Sequence, residues 1–287
     1  MNPAQWMRAL CAALPLLFVS PLHAELIFSA PPREDAAQAA KDYGPLVVLL
    51  SQVLGEKISF QPPASWATYS HAMQAGKYDI VFDGPHFVAW RMEHSGHQPL
   101  LRLPGDLGFV AVVRADDAAR SLTDLLSHTV CVPASPNLAA NVLLAEYGPI
   151  AQPRLLHPRN GMAGVYAAFY SGQCNAAVLR DAHYDKKLDA AEREKLQVLF
   201  RSRAYPNQAL TVGPRISAEQ RAAIIAALGK PENHAAIAPL TARFLGNAEA
   251  GLIPARAEDY AGLNLLLEKQ VWGWERVATS AGAASHR

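Results

Sequence analysis

Asp83 and His86 stand on the two sides of a Gly84-Pro85 step in YDIVFDGPHFVAW (residues 78–90), an apolar run that ends in an acid, a break and a histidine. A carboxylate and an imidazole at that spacing can accept a ligand's donors, exchange a proton, or join Asp181 or His183 around a metal ion. Each use competes with a plain structural one. Pro85 is a favourable first helical residue, which makes Gly84 the cap. Asp83 then sits near the positive end of a helix and gains about a few tenths of a kcal/mol. Three residues across a strand-to-helix turn is not a recognised chelate spacing, so no metal and no cofactor is assigned.

Two further strand-to-helix passages carry polar groups, PASPN at 133–137 and RDAH at 180–183, and a third, SAPPR at 29–33, follows the first apolar run. In a doubly wound sheet ligands bind outside the carboxyl ends of strands, where unpaired N–H groups open the helices. Ser135 and Asn137 open such a helix, and a capping group and a ligand donor can be the same atom. Asp181 follows another strand end. Signatures of catalysis are missing: there is no G-x-S-x-G, H-E-x-x-H, Walker loop, G-x-G-x-x-G or C-x-x-C. Cys131 with His157 as its base would make a nucleophile, but the thiol lies within an apolar strand, which favours a structural role.

The elements that position these residues follow from periodicity. Strand-length apolar runs (26–30, 57–61, 78–82, 129–133, 154–157, 175–179) alternate with helical patterns that stop at Gly55, Gly76, Gly148 and Gly172. That alternation predicts parallel sheets covered by helices. Gly44-Pro45 predicts a kink or restart in the first helix. The strand-helix order occurs twice, from Leu26 and from Thr129, and residues 107–117 and 196–212 connect the halves as a two-stranded hinge. Ser217 and Gln220 form a capping box, and a last helical pattern runs over 257–270, with Trp272 and Trp274 packing on the first lobe. The fold class is therefore α/β, two doubly wound lobes. Residues 25–114 begin lobe 1, 115–203 form lobe 2, and 204–277 return to lobe 1 with C-terminal helices that clothe it. Residues 278–287 read as a disordered tail.

Arg8 precedes an unbroken apolar stretch over 9–19, and Leu22-His23-Ala24 provides a small residue for cleavage, which predicts a secretory signal peptide over 1–24. Leu10 before Cys11 is not the small residue a lipid-anchor site needs. The 26 Lys and Arg face 25 Asp and Glu, and cleavage removes Arg8 alone among them, so the exported chain is neutral. No basic run offers a nucleic-acid surface. No later stretch is long enough to insert into a membrane. Export permits Cys131 and Cys174 to pair, the alternative being two buried thiols; a bridge over about 43 residues would contribute about 4 kcal/mol in the chain-entropy model.

The order YDIVFDGPHF, SLTDLLSHTVCVPAS, YSGQCNAAVLRD and RSRAYPNQALTV resembles the phosphate/phosphite/phosphonate-type substrate-binding proteins of ABC transporters, over nearly the whole exported chain. The resemblance implies a type 2 periplasmic binding fold, a ligand between two lobes and hinge closure. It also places Tyr69, in WATYSHAM, against the ligand. Two departures stand out. The family's Ser/Thr-rich oxyanion turn is Ser135-Pro136-Asn137 here, with one hydroxyl and one N–H fewer. Asp83 occupies a position that is apolar or aromatic in the family, and a carboxylate beside a dianion is repulsive.

The expected function is a monomeric, catalytically inert periplasmic receptor. It captures a small polar ligand, a phosphonate- or phosphate-like oxyanion, with Tyr69, Asp83, Gly84, His86, Ser135, Asn137 and Asp181, and presents it to an ABC permease. The alternatives are a sensor of the same fold docking on a membrane kinase or cyclase, a binder of an amine-bearing or metal-containing solute, and, remotely, an exported hydrolase using Asp83 and His86.

Overall fold

The structure, a computed structural model, describes residues 25–148, 150–271 and 273–274. The signal peptide expected over 1–24, Trp272 and the tail at 278–287 lie outside the described residues.

The first half of the chain alternates as its apolar runs dictate. β1 (Leu26–Ser29), α1 (Ala36–Leu54), β2 (Ile58–Phe60), α2 (Trp66–Gln74), β3 (Ile80–Asp83), α3 (Pro85–Ser95) and β4 (Gln98–Arg102) follow one another. β1 lies between β2 and β3 with parallel pairing on both sides. α1 starts at Asp35, whose side chain accepts from the Gln38 N–H at 2.8 Å, and ends at Gly55 with φ 64°, a conformation that favours glycine. No restart occurs at Gly44-Pro45; one helix runs through Pro45. Its buried face of Tyr43, Leu46, Val47 and Leu50 packs into the first core and outweighs the backbone bond that proline removes.

A short ribbon carries the chain across. β5 (Asp106–Leu107) pairs antiparallel with β11 (Tyr205–Pro206), and these two residues on each strand are the hinge. β6 (Phe109–Arg114) lies wholly in the second sheet, bonded to β9 and β10. The first lobe's leading segment therefore ends before Phe109 and not at 114, because the Phe109–Arg114 N–H and C=O groups find their partners on the other side.

The second lobe comprises β7 (Thr129–Cys131), α4 (Leu138–Ala145), β8 (Arg154–Leu156), α5 (Gly161–Tyr170), β9 (Ala176–Arg180), α6 (Asp181–Lys186), α7 (Ala190–Glu194) and β10 (Leu196–Arg201). Its sheet runs β10-β6-β9-β7-β8. Cys131 and Cys174 are joined by a disulfide, with Cα atoms 5.7 Å apart, inside an apolar cluster with Val165, Phe169 and Leu179.

The chain returns through β12 (Ala209–Val212), α8 (Ala218–Leu228), α9 (Ala238–Leu245), β13 (Ile253–Pro254), α10 (Ala257–Tyr260) and α11 (Leu265–Glu268). β12 slots between β3 and β4, giving the first sheet the order β13-β4-β12-β3-β1-β2. The Ser217–Gln220 capping box closes in both directions. The helix expected over 257–270 is two short ones, separated where Gly262 takes φ 76°. α8 and α9 clothe α1, whereas α11 lies against both α3 and α4. Tyr260 and Leu263 join Val88, Phe109 and Leu138 in one apolar cluster through the hinge, so the last helices bridge the lobes instead of covering only the first. Trp274 packs edge-on against Trp90, with ring centroids 5.2 Å apart. Among the described residues no helix is long and apolar enough to cross a membrane.

Candidate functional site

The strand ends of both lobes converge on one interlobe cavity of about 160 Å³. From the first lobe it receives Arg33 of the β1–α1 loop, Gly84 and His86 at the start of α3, and Trp66 of α2. The second lobe supplies Asn137 before α4 and Arg180 at the end of β9. The chamber opens into a wider mouth of about 700 Å³ that shares Arg33, Trp66, Asn137, Met162, Arg180 and Phe244 with it.

Among the described residues no carboxylate lines the inner chamber. Glu34 and Asp35 border only the mouth, where Glu34 is ion-paired with Arg243 and Asp35 caps α1. Neither Arg33 nor Arg180 is hydrogen-bonded to a carboxylate among the described residues, although Asp181 stands at ion-pair distance from Arg180. Arg33 Nη1 is buried with no hydrogen-bond partner among the described residues, and its guanidinium lies 5.6 Å from the Phe244 ring centre. Arg180 Nε is likewise buried and unbonded; Asp181 Oδ1 is 4.0 Å away. Burial lowers the Arg180 pKa from its ordinary value, a cost that a bound anion would offset. Two converging guanidinium groups in a half-dry cleft suit a planar or tetrahedral oxyanion, which they can grip bidentately.

Tyr69 and Asp83 do not face this cavity. Both are fully buried, the Tyr69 hydroxyl donates to Asp83 Oδ1 at 2.5 Å, and Arg91 Nε donates to Asp83 Oδ2 at 2.7 Å. Arg91 Nη2 closes the triangle by donating to the Tyr69 oxygen at 3.0 Å. Burial, reinforced by the Asp83 charge, holds the Tyr69 hydroxyl well above the usual tyrosine range, so it remains a donor. Tyr69 and Asp83, expected at the ligand, are thus bonded to Arg91 and to each other and line neither the chamber nor its mouth. Arg91, further along α3, reaches back to neutralise Asp83, so the repulsion expected between Asp83 and an anion is removed at its source.

The other expected residues divide. Gly84 lines the cavity, and a Cβ there would stand 3.2 Å from the His86 ring and 3.5 Å from Arg33 Nη2, so a side chain would intrude between them. His86 is 2% exposed and spans the lobes, its Nε2 lying 2.8 Å from the Pro136 carbonyl oxygen. Asn137 caps α4 by accepting the Ala139 N–H at 3.0 Å, and it also lines the cavity. Ser135 does not line it: its hydroxyl turns into the second lobe and donates to Asn141 Oδ1 at 3.1 Å. Asp181 is also outside, because its carboxylate accepts the Ala182 N–H at 2.6 Å and occupies the space beside Gly108. Among the described residues no group of three or more His, Cys, Asp or Glu is placed to hold a metal ion.

Two α/β lobes on a narrow ribbon, with a cationic chamber between them, define a type 2 periplasmic binding protein. A family model for the periplasmic substrate-binding proteins of phosphonate ABC transporters matches residues 28–260, and the chain belongs to that family. Against curated proteins the sequence finds no match. Solved structures share the fold at low identity. A Xanthomonas citri protein bound to ATP superposes with a TM-score of 0.65 at 15% identity, covering 88% of this chain and 98% of its own. PhnD1 from Prochlorococcus marinus in complex with methylphosphonate gives 0.62 at 14% identity, over 85% and 97%. A binding protein component of an ABC phosphonate transporter from Pseudomonas aeruginosa gives 0.59 at 15%, over 91% and 90%.

Sequence reasoning missed Arg33 and Arg180 as site residues, although both belong to strand-end passages it singled out. A signal was present: each is a lone cation at or shortly past the end of a strand and ahead of a helix.

Proposed function

We propose that the protein closes on a small phosphonate- or phosphate-like anion, held between Arg33 of one lobe and Arg180 of the other, and hands it to an ABC permease after export to the periplasm. The observation that carries this reading is that Arg33 and Arg180 line one chamber from opposite lobes, each with a buried N–H that has no hydrogen-bond partner among the described residues, where no carboxylate of the described residues lines the chamber. Such groups are costly to leave unsatisfied, and an oxyanion satisfies both at once only when the lobes are together. Family membership and the carboxyl-end location of the chamber support the same reading.

The test is a thermal-shift and calorimetric titration with methylphosphonate, inorganic phosphate and sulfate, on the wild type and on Arg33→Ala and Arg180→Ala. At a hundredfold excess over Kd a ligand should stabilise by about 2.7 kcal/mol, and each alanine should remove most of that gain. Equal binding by the two variants and the wild type would falsify the assignment.

A further inference from the structure

We infer that His86 reads a proton on the ligand: its Nδ1 accepts a hydrogen bond from the bound anion, so the site takes the singly protonated form of a phosphonate or phosphate and rejects an oxyanion without a donor. The inference rests on the anion reading of the Arg33–Arg180 chamber.

The interlobe contact sets the chemistry. His86 Nε2 faces the Pro136 carbonyl oxygen, which can only accept, so Nε2 carries the hydrogen. In a neutral ring Nδ1 is then a bare acceptor. That atom is buried, has no partner among the described residues and belongs to a side chain that lines the chamber. Arg33 Nη2 and Nδ1 stand 3.5 and 3.4 Å from the position a Gly84 Cβ would take, so the missing side chain leaves the guanidinium and the acceptor looking onto the same space. An anion oxygen held by Arg33 has a neighbouring oxygen directed at Nδ1. If that oxygen is bare, two lone pairs oppose each other; if it is protonated, both groups are satisfied.

The imidazolium alternative would let His86 donate to a bare oxygen, but its surroundings oppose a second charge. Arg33 faces the ring from the β1–α1 loop, Arg180 stands on the chamber wall at the end of β9, and among the described residues no carboxylate lines the chamber. On the ring's own segment the nearest acid is Asp83, committed to Arg91 and Tyr69. Burial, with Arg33 adding to it, pushes the His86 pKa down to about 3.

Two measurements on the full chain test this. In calorimetry, sulfate, which has no proton to give, should bind at least about 100-fold more weakly than methylphosphonate monoanion despite its larger charge. In phosphorus NMR at pH 8.5, bound methylphosphonate should keep the monoanion shift while free ligand shows the dianion. His86→Leu should collapse the sulfate discrimination. Sulfate binding within the 100-fold margin, or a bound dianion shift, overturns the inference and leaves the anion chamber standing. If none of methylphosphonate, phosphate and sulfate binds, the chamber reading falls and the inference with it.

Discussion

Arg91, within α3 of the first lobe, and the pair Arg33–Arg180, which line the chamber from the two lobes, make a contrast. Arg91 is fully buried with Asp83 and Tyr69, every member bonded to the other two. Arg33 and Arg180 lie against the Phe244 and Phe109 rings, with Asp181 4.0 Å from Arg180, and each keeps a buried N–H without a partner among the described residues. In the first cluster the guanidinium is bonded to a carboxylate and a hydroxyl, Arg91 Nη1 alone remaining unbonded, and the cluster fixes where α3 begins; in the second no carboxylate among the described residues is hydrogen-bonded to either guanidinium. Residue type and position after a strand do not separate the two cases. Whether a carboxylate of the protein is hydrogen-bonded to the guanidinium does.

Substitutions can break this contrast from either side. The largest effect is expected from Asp83→Ala, which strands a buried Arg91: stability should fall by about 3–5 kcal/mol in denaturant unfolding, while the added stability conferred by methylphosphonate persists. Combining Asp83→Leu with Arg91→Met should recover most of the loss, since replacing both members of a buried pair is often near neutral. On the other side, Arg180→Ala should leave unfolding free energy nearly unchanged and weaken methylphosphonate binding by about 2–3 kcal/mol, read by calorimetry, because charge-assisted hydrogen bonds of that order are lost.

Each cluster also has its own buried histidine. Burial, aided by Arg33 at His86 and by Arg91 at His97, pushes both pKa values down to about 3. A folded pKa below the unfolded value of about 6.5 means that stability is fully present above pH 6.5 and is lost as pH falls towards 3. At pH 5 each ring should cost about 2 kcal/mol, measured as the fall in unfolding free energy from pH 7.5. His97→Gln should remove its share with ligand affinity untouched. Opening the cleft, which exposes His86, should relieve only the other share. The smallest stability change is expected from Asn137→Asp: the cap on α4 is kept, within about 0.5 kcal/mol, but a carboxylate enters the chamber and methylphosphonate affinity drops at least tenfold.

Much of the fold was legible because local rules and tertiary context agree in it. Six apolar runs became strands within a residue or two, and Gly55, Gly76 and Gly172 follow their helices at positive φ. The capping box at Ser217 formed as written. The chamber was legible only as a location. Asp83 looked free because its partner stands eight residues on, at no helical or strand spacing, although a single arginine within PHFVAWRM pointed to a buried pair. Ser135 and Asp181 were placed correctly at strand ends, but side-chain direction depends on Asn141, in the next helix, and on Gly108, distant in sequence. The hinge came out shorter than its apolar run because pairing with β9, not composition, decides where β6 belongs.

The position of β12, wedged between β3 and β4, has a consequence for how the molecule is made. A polypeptide emerging from its amino end supplies β7 to β10 before the strand at 209–212, so the later lobe has all its sheet partners while the earlier one still lacks a middle member. Phe109 and Ser202, which bond to each other through two contacts, already bring that inserted lobe's ends side by side. A chain stopped after Arg203 should protect the amides of the five-stranded sheet from deuterium exchange and leave those of β1 and β3 unprotected. Maturation then runs against the order of synthesis, the second half serving as the finished piece onto which the first is closed.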